Sequence, residues 1–257
     1  MTAQSLQGRT AIVTGAGAGI GRAIALALAA LGANVVAAVR RSNTGEETAA
    51  LIKAEGGHAI AVQADVAQEL AVQHAIDQAL AQFGGLDIVI HNASSGLSGT
   101  PAALAAITDQ MWDEQASVAL DAAYHLARAS FTPLKESGGG RYIILTSSQG
   151  LHGSARNPVY TAVKGAQRGF IKALAHEWGP YGITVNGVAP AALSDAAAAY
   201  LASNPAQRDA ALAQFPLGRI GDPRTDVGAA IAALCTDDFR YVTGQTLCID
   251  GGAFTLQ

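Results

Sequence analysis

The stretch TGAGAGIG, Thr14 to Gly21, packs four glycines into eight residues. It closes the aliphatic, β-branched run TAIVTG and leads into a segment in which Ile20, Ile24, Leu28 and Leu31 recur at helical spacing. Two common phosphate-loop patterns fail on it. G-x-G-x-x-G started at Gly15 puts Ile20 at the third glycine, started at Gly17 it puts Arg22 there, and no Gly-Lys-Ser/Thr triplet follows. The setting decides more than the pattern. A strand, a glycine-rich loop and a helix N-terminus in succession let the backbone approach a pyrophosphate and aim free N–H groups and the positive helix end at it. A tight strand-to-helix turn without a ligand is the alternative reading of the same residues.

Outward from this loop the same alternation continues. NVVAAV, HAIAVQAD, LDIVIHNAS, RYIILTSS, GITVNGVAP and GQTLCIDGG join TAIVTG as seven candidate strands, separated by segments of helical spacing. This predicts an α/β fold with a Rossmann-like, doubly wound parallel sheet of about seven strands covered by helices on both faces. No repeat period or linker divides the 257 residues, so residues 1–257 are expected to form a single dinucleotide-binding and catalytic domain. The alanine-rich, loosely patterned segment 190–215 is either a surface helical hairpin or a substrate lid.

Composition narrows the function. Half the residues are hydrophobic and the formal net charge is −4, with no basic cluster beyond the pair Arg40-Arg41. Nucleic acid and anionic membranes need a concentrated basic face, so neither is expected as a partner. Cys235 and Cys248 are too few for a disulfide framework and match no zinc spacing; both are expected to pack as small apolar residues. His91, His125 and His176 show no metal-binding spacing, and no metal site is expected. The N-terminus lacks a signal pattern, and the most apolar segment is broken by Gly32 and Asn34, which points to the cytoplasm.

The second strand, NVVAAV, is expected to end beside an adenosine ribose. There the chain offers Arg40 and Arg41 and no carboxylate to bind a 2′-hydroxyl. Guanidinium groups suit a 2′-phosphate, which favours NADP(H) over NAD(H); solvated charges at a strand end are the alternative.

Tyr160 and Lys164, in YTAVK, lie four apart near the start of a helix that Asn157-Pro158 introduces, so both project from one face. An ammonium beside a phenol lowers its pKa and lets it exchange a proton with a carbonyl or alcohol oxygen. The strand RYIILTSS brings Ser147 to the ligand-binding edge, where its hydroxyl would hold the substrate oxygen. A catalytic-triad reading of Ser147 lacks a G-x-S-x-G elbow and a patterned acid for His152.

Taken in order, TGAGAGIG, Asp65-Val66, HNAS at 91–94, Ser147, YTAVK, VNGVAP and TGQTLCIDGG resemble the short-chain dehydrogenases/reductases over essentially the whole chain. The family's glycine pattern, T-G-x-x-x-G-x-G, is filled by Thr14, Gly15, Gly19 and Gly21. The resemblance implies Tyr160 as general acid/base, Lys164 as its partner on the nicotinamide ribose, and Ser147 as the group that orients the substrate oxygen. It further implies cofactor contacts at Ile20, Asp65, Val66, Asn92, Ala93 and Pro190, and aligns Arg40 with the family's NADP-associated position. Many relatives form tetramers or dimers through two long helices, here Thr108–Lys135 and Pro158–Trp178, so a homo-oligomer is expected.

Three positions depart from the family pattern. Ala119 stands where an asparagine usually supports the proton relay from the lysine, Ser94 ends the HNAS motif in place of glycine, and Ala191 replaces the glycine after Pro190. The expected activity is NADP(H)-dependent hydride transfer between nicotinamide and a small-molecule carbonyl or secondary alcohol. Ala119 also admits a second function, a cofactor-binding sensor or scaffold with little catalysis. Ser94, Ser95, Leu151, His152 and Asn157 are expected to face the substrate without selecting its class.

Overall fold

The computed structural model describes residues 5–98, 100–193 and 201–255. Its strands are β1 (Thr10–Thr14), β2 (Asn34–Val39), β3 (His58–Gln63), β4 (Ile88–His91), β5 (Arg141–Leu145), β6 (Thr184–Pro190) and β7 (Thr246–Ile249). They pair in parallel throughout, in the order β3-β2-β1-β4-β5-β6-β7. The chain builds outward from β1 to β3, then returns to the other side of β1 with β4 and builds outward again. The connections leaving β1 and β4 therefore diverge, and a crevice opens at their carboxyl ends, where doubly wound sheets hold ligands.

The helices are α1 (Gly19–Ala30), α2 (Ser42–Ala54), α3 (Glu69–Phe83), α4 (Asp109–Ala116), α5 (Ala122–Glu136), α6 (Gln149–His152), α7 (Pro158–Trp178), α8 (Pro205–Leu212) and α9 (Ala229–Leu234). The sheet separates two apolar layers. Ile24 and Leu28 of α1, Ile52 of α2 and Ile231 of α9 meet Val13, Val35, Ile90 and Ile143 on one face. Val72 and Ile76 of α3, Leu126 of α5, and Ile171 and Trp178 of α7 meet Ile12, Val36, Tyr142 and Ile144 on the other. Strand positions alternate between the layers, so each strand is apolar on both sides, as a buried parallel sheet requires. The Tyr142 hydroxyl donates to the Ala123 carbonyl at 2.7 Å, and its ring meets Trp178 edge-on at 5.6 Å, tying β5 to α5 and α7.

All seven predicted strands are present; β2 and β6 run to the ends of their sequence runs, and the other five stop short of the residues that close theirs. The first helix begins at Gly19, one residue before Ile20, the first of its regularly spaced apolar residues. The expected continuous helix Thr108–Lys135 is interrupted: residues Ser117–Asp121 form a π-helical turn between α4 and α5, centred on Ala119. A wider turn of this kind breaks the regular carbonyl-to-amide pairing, and here it bears on the site described below. Of the alanine-rich segment 190–215, residues 194–200 lie outside the described residues, and 205–212 form α8.

Candidate active site

The glycine loop is built from two different constraints. Gly15 and Gly19 take positive φ, +66° and +52°, a region that side chains strain to enter. Gly21 is required by proximity: a Cβ there would overlap the Gly15 carbonyl oxygen and the Asn92 amide, and one at Gly17 would overlap the Thr44 side chain. The loop carbonyls are drawn inward. Asn92 Nδ2 donates to the oxygens of Thr14 and Gly15 at 3.0 and 3.2 Å, Thr48 Oγ1 to that of Ala16 at 2.8 Å, and Arg22 to that of Gly17. With its acceptors occupied, the loop presents donors. The N-cap Ala18 is extended and gives no side-chain cap, and no acidic residue occupies the first turn of α1. The orphan N–H groups at that helix end suit an anion.

A cavity of about 490 Å³ opens over this loop. Gly15, Ile20, Gly21, Arg40, Asp65, Val66 and Asn92, seven of the residues expected to hold a cofactor, line it together with Ala93 and Ser94. Gly19 shapes the loop without lining the cavity, and Pro190 ends β6 away from it. Arg40 and Arg41 are exposed, line the cavity and have no carboxylate partner among the described residues, a state they share with Arg156, Arg168 and Arg240, which lie away from its lining. The donor-rich loop, the uncapped helix end and the two guanidiniums at the rim are chemically suited to a phosphate-bearing ligand.

Thr14 joins this cradle to the sheet. Its hydroxyl accepts from the backbone N–H groups of Asn92 and Ala93 at 3.0 and 3.1 Å. That fills both lone pairs, leaving the hydroxyl proton to His91 Nδ1 at 3.3 Å and the Ile90 carbonyl at 3.4 Å. His91 is 1% exposed, and its Nε2 lies 3.3 Å from the Ala119 carbonyl. Since a carbonyl can only accept, Nε2 carries the proton and Nδ1 accepts from Thr14, a tautomer assigned from the partners. Burial, with a smaller contribution from the charge on Lys164, pushes the His91 pKa down to about 3, so the ring is neutral.

At the other side of the π turn stand the proton-handling candidates. Ser147 follows β5, and Tyr160 and Lys164 occupy the first two turns of α7, which starts with Pro158 at a position where no amide hydrogen is needed. The Ser147 side chain lies near enough to the Tyr160 phenol to act on its ionisation. Lys164 is 4% exposed; its Nζ donates to the Leu145 carbonyl at 2.6 Å and to Gln167 Oε1 at 3.1 Å, and lies 5.6 Å from the Tyr160 ring centroid. Burial pushes the Lys164 pKa down to about 8. Burial also raises the Tyr160 phenol, against a lowering by the Ser147 side chain. The Lys164 ammonium turns toward Leu145 and Gln167.

The residues expected to face a substrate are less uniform. Ser95 is buried and donates to Glu114 Oε1 at 2.7 Å, and Asn157 Nδ2 donates to the Ser98 carbonyl at 3.0 Å, so both side chains hold loops. His152 is exposed on α6 and packs on Phe254 with ring centroids 4.9 Å apart. Ala191 lines a second cavity of about 780 Å³, with Leu217, Gly251 and Phe254. Cys235 is fully buried and its thiol is pushed up to about 12, whereas Cys248 is half-buried and lines that second cavity. Among the described residues no cluster of three or more His, Cys, Asp or Glu is disposed to hold a metal ion. His91, Gln167, Thr48 and Arg22 were not singled out as site residues, because each acts through contacts made across the fold.

The sheet order, the crevice beside β1 and the donor-lined loop define a Rossmann-like nucleotide-binding protein, with serine, tyrosine and lysine gathered beside the crevice. The family model described as Enoyl-(Acyl carrier protein) reductase matches residues 15–254. The 3-oxoacyl-[acyl-carrier-protein] reductase FabG of Pseudomonas aeruginosa is 34% identical over 250 residues, 97% of this chain and 99% of that protein. Versicolorin reductase of Emericella nidulans is 37% identical over 262 residues, covering 97% of each. A crystal structure from Sinorhizobium meliloti, described as a short-chain alcohol dehydrogenase, superposes with a TM-score of 0.89 at 32% identity over 98% of both chains. The chain belongs to the short-chain dehydrogenase/reductase family and is an oxidoreductase of that family.

Proposed function

We propose that the chain is an NADP(H)-dependent reductase of a ketone or aldehyde, working as one catalytic unit over its whole length. The single observation that carries this reading is the pair of unpaired arginines, Arg40 and Arg41, at the rim of a cavity whose loop offers only donors. The glycine loop and the α1 N-terminus would hold the pyrophosphate, Arg40 the 2′-phosphate, and Asp65, Val66 and Asn92 the adenosine side. Bound NADPH supplies the hydride.

The chain's own residues handle position and the proton. Ser147 donates a hydrogen bond that holds the substrate carbonyl oxygen and keeps the Tyr160 hydroxyl beside it. Tyr160 gives its proton to that oxygen as negative charge develops there, and Lys164 keeps a positive charge behind the tyrosine and reaches the nicotinamide ribose. A ketone substrate is supported by the names of the relatives, two reductases of which one acts on a 3-oxoacyl group. The absence of a side chain beyond a methyl at Ala119 favoured a non-catalytic binding protein; the network seen here uses the Ala119 main-chain oxygen, which any residue would provide. Trp112 and Tyr124, on α4 and α5, are about half exposed, which suits a homo-oligomer formed through those helices. Two unpaired cysteines suit a reducing, cytoplasmic setting.

The test is NADPH oxidation against a panel of aldehydes, ketones and cyclic diketones with Tyr160→Phe alongside. The variant is expected to lose turnover by about 100-fold or more while NADPH binds within a few-fold of wild type. Undiminished turnover in the variant would overturn the assignment.

A further inference from the structure

Lys164 and Gln167 stand three apart on α7, one above the other on the same face. Gln167 is completely buried, in a position where an unpaired amide would be costly. Both ends of its amide are engaged. Oε1 accepts from the Lys164 ammonium at 3.1 Å, and Nε2 donates to the Ala119 carbonyl at 2.9 Å. The orientation is fixed by chemistry, because an ammonium only donates and a carbonyl only accepts. The Ala119 oxygen receives a second hydrogen from His91 Nε2, so its two lone pairs are both used. Two directed chains converge on that oxygen: Thr14 to His91 from the dinucleotide loop, and Lys164 to Gln167 from the catalytic helix. The π turn at Ser117–Asp121 places the oxygen between them.

We propose that Gln167 is a positioning residue of the reaction, holding the Lys164 ammonium in place and in its charged form by bridging it to the Ala119 carbonyl. The role rests on the reductase reading in that Lys164 is there the lysine serving Tyr160. It also answers the alanine at 119: the support that a longer side chain would give from the α4–α5 side arrives from α7, one turn beyond the lysine. An amide does not shuttle protons at neutral pH, so Gln167 orients and charges Lys164 and carries no proton from it.

The chain has four lysines, Lys53, Lys135, Lys164 and Lys172, so each ε-carbon can be followed separately by NMR in lysine-labelled protein through a pH titration. Gln167→Met keeps the volume and removes the acceptor. The Lys164 midpoint is expected to fall by about one pH unit, a tenfold loss of proton affinity, as a hydrogen bond to a charged group is lost. Gln167→Glu places a carboxylate against the ammonium and is expected to raise the midpoint above that of wild type. If the Met variant fails to fold, Gln167→Asn, too short to span both partners, takes its place with the same downward shift expected. A packing role alone would leave the Lys164 midpoint where it is, and an unmoved midpoint in the Met (or Asn) and Glu variants would overturn the proposal. The pH profile of kcat should move with the midpoint. Opposite shifts in a chain that turns over no carbonyl would retain the bridge and remove the reductase reading; turnover with an unmoved lysine would do the reverse.

Discussion

His91 makes the folded chain sensitive to mild acid in a way that can be computed. The ring is buried at the end of β4 between Thr14 and the Ala119 carbonyl, and burial holds its pKa at about 3 against about 6.5 for an exposed imidazole. Above pH 6.5 the folded and unfolded chains are both neutral at this residue, and it contributes no pH dependence. Below 6.5 the unfolded chain binds a proton that the folded chain refuses until about pH 3, so stability falls as pH falls through that window. Each pH unit is worth about 1.4 kcal/mol, so at about pH 4.5 His91 alone removes about 2.5–3 kcal/mol. That is a sizeable part of the 5–15 kcal/mol that typically separates folded from unfolded domains. The assay is urea unfolding at fixed protein concentration, from about pH 7.5 to about pH 4.5, of wild type and His91→Gln. The glutamine variant will be less stable at neutral pH, but it has no imidazole to charge, and the carboxylates common to both proteins cancel in the comparison. Wild type should lose about 2.5–3 kcal/mol more than the variant across that range. Parallel stability curves would refute the reasoning, since they would mean that His91 accepts its proton without unfolding the chain.

Arg40→Ala should weaken NADPH binding by about 10–100-fold, the worth of a charge-assisted contact to phosphate, while leaving NADH binding within a few-fold. Fluorescence titration with both nucleotides checks this, and an equal loss for the two would remove the 2′-phosphate contact. Gly21→Ala forces a methyl into the Gly15 carbonyl and the Asn92 amide, so it should abolish NADPH binding and lower stability by about 1–3 kcal/mol. Unchanged Tm and nucleotide affinity in that variant would show that the loop yields more readily than its contacts imply.

Much of this molecule was legible in its sequence because the relevant patterns are local. Seven aliphatic runs became seven strands, and Asn157-Pro158 marked the start of α7. The dinucleotide cradle could be placed from strand, glycines and helix alone. What stayed hidden was made by contacts distant in the chain. Nothing in the spacing from Thr108 to Lys135 announces the π turn, because its residues are ordinary helix formers and the irregularity serves hydrogen bonds from β4 and α7. Gln167 looks like a polar residue on a helix surface until the π turn comes against it and accepts its amide hydrogen. Gly17 belongs to no motif, yet Thr44, from a different helix, leaves it no room for a side chain. The pairing of Tyr160 with Ser147, and of Lys164 with Leu145 and Gln167, depends on side-chain direction, which four-residue spacing alone does not fix.

Thr14 sits at the seam where the sheet changes direction, and one hydroxyl there ties three backbone or ring nitrogens from the strand across the seam. The ends of β1 and β4 on either side of the cleft are therefore tied directly to each other. The arginines stand outside this tie, among the residues lining the cavity's outer rim. The division of labour is spatial: two side chains, Thr14 and Asn92, join the seam in its interior, while Arg40 and Arg41 lie past the end of β2, outside the sheet.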